Sequence, residues 1–215
     1  MPSIDVLIGF TLAAILMNIS PGPSNFYVMA RAICQGFKGG LVAALGLAAG
    51  SMVYVLATAL GLSIIFEQSP TIYLILKIVG AAYLIYLGYR YFKPPLENSQ
   101  IDINAPKRKT LTAVFTESVL VEVTNPKTAL FFIAFLPQFV NESFAVAPQL
   151  FVLGLIVTLT ALPCDLVVAA SSSKARDWFA NNQTARRIQE RVSGSILAGI
   201  GGVIAVKEIR DALKT

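Results

Sequence analysis

Histidine is missing from this chain altogether, and cysteine (two), tryptophan (one) and charge (13% of residues) are scarce. Without histidine there is no ordinary haem or zinc ligand set, no imidazole proton relay and no serine–histidine nucleophile, so no cofactor and no metal is expected. Cys34 and Cys164 stand alone in apolar surroundings and read as small core residues rather than a disulfide. The low charge excludes an ordinary soluble domain, which carries about twice as much. The net charge of +5 does not indicate nucleic acid, because the basic residues cluster in short stretches between apolar runs.

What is there instead is apolar length. Over half of the chain is hydrophobic, with a mean hydropathy of +0.69. Six segments stand out, at about 4–31, 39–66, 71–92, 111–139, 146–172 and 193–213. Each meets or approaches the roughly 20 residues needed to cross the hydrocarbon. The expected fold is an all-α integral membrane protein with six transmembrane helices. The first segment lacks a basic leader region and is too long for a signal peptide, so its retention is expected.

Two of these segments are interrupted. The fourth contains Val123-Thr124-Asn125-Pro126-Lys127. An interior proline costs a helix about 3 kcal/mol, and a lysine at bilayer depth about 2.5–3.5 kcal/mol. Together they predict a helix that stops and restarts, with Asn125 as N-cap and Pro126 as first residue. The first segment has the same grammar in Ser20-Pro21-Gly22-Pro23-Ser24-Asn25. An offset of 105 pairs Pro21 with Pro126, Phe10 with Phe115 and Phe26 with Phe131, and sets Ser20 on Asn125 as the second N-cap. A further offset of 114 pairs Gly80 with Gly194 and Gly88 with Gly202. This predicts two three-helix repeats, residues 1–92 and 111–215, joined by a cytoplasmic linker at 93–110. Helices 1 and 4 are expected to break at Pro21-Pro23 and Asn125-Pro126.

Basic residues orient the chain. Arg31 and Lys38 lie in the 1–2 connection, Arg90, Lys93, Lys107, Arg108 and Lys109 around the 3–4 connection, and Lys174, Arg176, Arg186, Arg187 and Arg191 in the 5–6 connection. The positive-inside rule places all three in the cytoplasm and both termini outside. Repeats with an odd number of helices are then inverted in the membrane. Small residues four apart, Gly46 and Gly50 in segment 2 and Gly194, Ala198 and Gly202 in segment 6, suit close helix approach. That approach is either internal packing or a homodimer interface. Lys174–Arg191 reads as an interfacial helix or as a solvated loop. Lys77 reads as an interfacial lysine whose stem snorkels.

Broken helices in inverted repeats commonly meet at a central site. A restarted helix offers unpaired N–H groups and a positive dipole end. Ser20, Gly22, Ser24, Asn25, Asn125, Lys127 and Thr128 are therefore the candidate substrate-binding residues, suited to a carboxylate. Asp165, Glu122 and Glu117 are candidates for binding an ammonium group or carrying a coupling proton. Pairing of Lys127 with Glu122 or Asp165 is the structural alternative.

These motifs resemble the lysine exporter (LysE/RhtB) superfamily, in its homoserine/threonine branch. The likeness is carried by Ser20-Pro21-Gly22-Pro23, by the run from Asn125 to Phe132 ending in Leu136-Pro137-Gln138-Phe139, and by Lys77 to Gly88 in the third segment. It covers essentially the whole chain, although Glu122 stands where a less charged residue is expected. The resemblance implies export of amino acids across the bacterial inner membrane, coupled to protons. Some members carry lysine or cadmium, and the lack of histidine disfavours a metal. Two other readings remain open. One is a passive channel for small solutes. The other is an intramembrane enzyme, for which Ser20 and Lys127 would be the nucleophilic pair in the absence of any Gly-x-Ser-x-Gly elbow.

Overall fold

A computed structural model describes residues 2–20, 22–69, 108–141 and 143–181, with single positions between 71 and 89 and between 191 and 210. All regular structure among these residues is helical. Pro21, Lys77, most of the 93–110 linker, the offset-114 pairs apart from Gly202, and most of the sixth segment lie outside the described residues, as do the side chains beyond Ser172 in segment 5.

Helix α1 spans Ile4–Ile19 and ends as the rule for residues before proline requires, with Ser20 extended at ψ 126°. Its surface has two faces. Ile4, Ile8, Leu12, Leu16 and Ile19 point outward, each 45% exposed or more, whereas Phe10, Ala14 and Met17 are buried. An outward stripe of large aliphatic side chains at helical spacing is unfavourable in water and fitting in lipid. The same outward pattern recurs at Leu56, Leu60 and Ile64 and at Leu159 and Val167.

Helix α2 spans Pro23–Ala57 and continues through a π turn, Thr58–Leu62, into α3, Ser63–Gln68. A straight run from Pro23 to Ile65 would measure about 65 Å, twice the hydrocarbon thickness. It is not straight. Gly36 has φ 72° and ψ −176°, a conformation essentially reserved for glycine. A Cβ on Gly39 would lie 2.8 Å from the Arg31 carbonyl oxygen, and one on Gly40 2.8 Å from Ala32 Cβ. Residues eight apart in a continuous helix are about 12 Å apart, so the chain doubles back. Residues 23–35 and 37–57 form two arms of a tight helical hairpin, and the 1–2 connection is this turn.

Helix α4 (Leu111–Val123) is capped by Thr110, whose Oγ1 accepts from the Ala113 N–H at 3.3 Å. The chain bends by 46° before α5 (Pro126–Leu130), a π turn (Phe131–Phe135) and a 3-10 turn (Leu136–Phe139). Helix α6 runs from Val146 to Asn181, so it continues nine residues past the expected end of segment 5 and takes in the first part of Lys174–Arg191. Helix α2 lies between α4 and α6, and α6 also packs along α1.

The second arm of α2 approaches α4 closely. A Cβ on Gly46 would strike Phe115 O at 2.5 Å and Ser118 Cβ at 2.6 Å, and one on Gly50 would meet Glu122 Cβ at 2.7 Å. The Gly46–Gly50 face is thus internal packing, not a dimer surface. Two apolar clusters result. One gathers Phe10, Met17, Val55, Phe131, Phe135 and Leu153. The other gathers Val28, Ala32, Ala43, Leu47, Val114 and Ala169, on the side of the Gly36 turn.

Candidate functional site

Both breaks form, and they face each other. In the fourth segment Asn125 is the N-cap, its Oδ1 accepting from the Lys127 N–H at 3.0 Å, with Pro126 as first helical residue. In the first segment the N-cap is Gly22 and the first helical residue is Pro23. Ser20 instead terminates α1. The expected N-cap at Ser20 is therefore corrected, and the breaks superpose at an offset of 103, Gly22 on Asn125 and Pro23 on Pro126. The reason is local. Proline is tolerated at N1 but also forces the residue before it out of the helix, so the second proline of the pair sets the start.

Side chains stitch the two starts together. Asn125 Nδ2 donates to Ser24 Oγ at 2.8 Å, Ser24 Oγ donates to Glu122 Oε2, and Thr128 Oγ1 donates to Glu122 Oε1 at 2.9 Å. Each oxygen of Glu122 is thereby used by the first turn of one restarted helix. Lys127 Nζ donates to the Ser20 carbonyl at 2.5 Å, at the negative end of α1. Lys127 forms no ion pair within 4 Å with Glu122 or Asp165. The lysine side chain runs close over the first break, since a Cβ on Gly22 would lie 3.2 Å from Lys127 Cδ. Asn25 Nδ2 donates to Asn18 O at 3.2 Å across the first break. Ser20 Oγ is buried and has no hydrogen-bond partner among the described residues.

A cavity of about 40 Å³ lies where the breaks meet. It is lined by Ser24, Asn25, Glu122, Asn125, Lys127, Thr128 and Asp165, among others. Its volume suits a few waters rather than a metabolite, whose pockets are about 300 Å³ or more. Met17 at one edge belongs to the first apolar cluster and Leu47 at another to the second, so the polar centre lies between the two clusters. Asp165, 6% exposed, follows Pro163 on α6 and makes no hydrogen bond or ion pair with a described residue. Reading the sequence alone missed two polar cavity residues, Asn18 and Ser51, and the apolar lining from Met17, Leu47, Ala48, Ala161 and Leu162. Ser51 had a weak signal, as a polar residue directly after Gly50. It shares a 2.8 Å hydrogen bond with Thr158.

The family model described as LysE type translocator matches residues 15–208, nearly the whole chain. The chain belongs to the LysE translocator family. It is a membrane transporter and not an enzyme, which removes the serine–lysine reading. An uncharacterized membrane protein of Bacillus subtilis is 32% identical over 203 residues, covering 91% of this chain and 96% of its own length. A homoserine/homoserine lactone efflux protein of Salmonella typhimurium is 26% identical over 201 residues, covering 91% and 94%. An uncharacterized membrane protein of Pseudomonas aeruginosa is 29% identical over 218 residues, covering 96% and 94%. No solved structure matches the chain.

Three candidates of this LysE translocator are not among the cavity's lining residues: Ser20 and Gly22, at the first break beside Lys127, and Glu117. Glu117 lies more than a turn toward the start of α4. There it accepts from Tyr27 Oη at 2.9 Å and pairs with Lys109 Nζ at 2.5 Å and Arg31 Nη2 at 3.7 Å. It is a charge-paired residue between α2 and α4 rather than a neighbour of Lys127.

Proposed function

We propose that this protein exports a small, neutral amino acid from the bacterial cytoplasm in exchange for protons, alternating access about the paired breaks. The observation that carries this is the convergence of two helix starts, Lys127 and two carboxylates on one cavity. The relatives named for homoserine and homoserine lactone efflux support the substrate class. In this reading the substrate carboxylate takes the N–H groups of Ser24 and Asn25, left without intrahelical acceptors in the first turn, and the Lys127 ammonium, which leaves the Ser20 carbonyl. The orphan Ser20 hydroxyl is a further donor. Asp165, with no hydrogen bond or ion pair to a described residue, takes the substrate ammonium or the proton. Glu122, already held at both oxygens, keeps the two helix starts in register.

The formal charges favour proton coupling. Lys127 against Glu122 and Asp165 leaves one net negative charge at bilayer depth, which is costly. A zwitterion does not change that balance, whereas one proton cancels it. The surrounding architecture is read as six spans in two inverted three-helix repeats, 1–92 and 111–215. The Gly36 turn and the linker at 93–110 are cytoplasmic and both termini periplasmic.

Counterflow in proteoliposomes with radiolabelled L-homoserine and L-threonine tests the reading, with and without an imposed pH gradient. Saturable, gradient-driven exchange is expected. Asp165→Asn is expected to keep exchange at zero gradient and lose the response to the gradient where Asp165 carries the proton, and to lose exchange altogether where it holds the ammonium. Non-saturating flux that ignores the gradient would replace the exporter with a passive channel.

A further inference from the structure

Between the cavity and the Gly36 turn, the first arm of α2 is fastened to the start of α4 by polar side chains. Tyr27 and Arg31, one and two turns beyond Ser24, converge on Glu117. The Arg31 guanidinium lies 5.1 Å from the centre of the Tyr27 ring. Gln35 completes the fastening with a two-way amide clasp. Its Nε2 donates to Lys109 O at 2.9 Å, and its Oε1 accepts from Lys109 N at 3.1 Å. Lys109 in turn holds the other oxygen of Glu117. Beneath this lies the second apolar cluster, against which Tyr27 packs. On the other side the first apolar cluster gathers the rings of Phe10, Phe131, Phe135 and Phe139, with centroids 4.5–6.2 Å apart.

We propose that the Tyr27–Arg31–Gln35 face of α2 and the Lys109–Glu117 face of α4 form the cytoplasmic gate of this transporter. The proposal rests on the alternating-access reading above. Ser24 and Glu122, the cavity ends of these helices, are bonded to each other, and Glu117 lies five residues, about 7.5 Å, nearer the turn. A substrate passing between the helices to the cavity must part them there. An ionic closure on this side opens against water, where separated charges are readily solvated. The aromatic cluster on the other side is held by apolar contact. Glu117 is thus a gating residue that touches no substrate in the cavity.

The test uses the full chain with Cys34→Ser and Cys164→Ser, and Ala48→Cys as the cavity thiol. The rate of modification by a membrane-impermeant cationic methanethiosulfonate is measured in inside-out and in right-side-out vesicles. Glu117→Gln is expected to raise the rate about tenfold from the cytoplasmic face only, the change given by about 1.4 kcal/mol of lost closure. Tyr27→Phe, which removes one hydroxyl, is expected to raise it less, and Glu117→Asp to hold it near the parent rate. Unchanged rates in both Glu117→Gln and Tyr27→Phe, or a rise confined to the periplasmic face, would overturn the gate. Should Glu117→Gln raise the rate from both faces, as an unfolded chain does, Tyr27→Phe decides, and no rise there counts against the gate. Labelling requires no amino acid, so failure of counterflow alongside a labelling rise sinks the substrate assignment and leaves the gate.

Discussion

At the level of single residues, the site is a division of labour among charges. Lys127 docks on the Ser20 carbonyl, so its head group is held by an exchangeable backbone contact rather than by a carboxylate. A charge-assisted hydrogen bond is worth about 1.5–3 kcal/mol. Lys127→Met is therefore expected to lower homoserine counterflow by about tenfold or more while the protein still purifies as a folded species; undiminished counterflow would remove Lys127 from the site. Asn125→Ala removes the cap of α5 and the link to Ser24. It should cost about 1 kcal/mol of stability, read as a lower melting temperature in detergent, and weaken exchange as well. A variant with unchanged melting would show that the cap does not hold the break.

Among the elements, two glycine positions decide how the helices meet. Gly36 carries the left-handed backbone that folds α2 on itself. Gly36→Ala is expected to destabilise the protein by about 1–3 kcal/mol, visible as a drop in thermal midpoint that Gly9→Ala, with open space around it, does not share. Gly50 brings the second arm of α2 against Glu122 and Val119. Gly50→Leu would force α4 away at the depth of the cavity, with an overpacking cost of about 1–3 kcal/mol. Exchange should fall even where the protein still folds. Full exchange in Gly50→Leu would mean that this approach does not position Glu122.

For the whole molecule, the bend at Asn125 and the turn at Gly36 set which ends share a face. The Gly36 turn lies on the side of the second apolar cluster, whereas Val140 and Val146, which flank Ser143, pack in or against the first. In the proposed orientation these are cytoplasmic and periplasmic. An impermeant maleimide added to intact cells is expected to label Ser143→Cys and to leave Lys38→Cys unmodified until the membrane is opened. Equal labelling of both from outside would refute the orientation.

The chain's own letters determined the class, the breaks in the first and fourth segments and the convergence of Ser24, Asn125, Lys127 and Asp165, because proline, buried charge and apolar length have steep local costs that any fold must answer. The family was legible in the same runs, and the match over residues 15–208 bears it out. What local costs leave undetermined was decided in three dimensions. Ser20 was the expected cap, and the second proline set the helix start so that Gly22 caps it instead. Glu117 and Glu122 are a turn and a half apart on one helix and indistinguishable in type. Only the approach of α2, through Gly50 at one end and Arg31 at the other, put one carboxylate in the cavity and paired the other outside it.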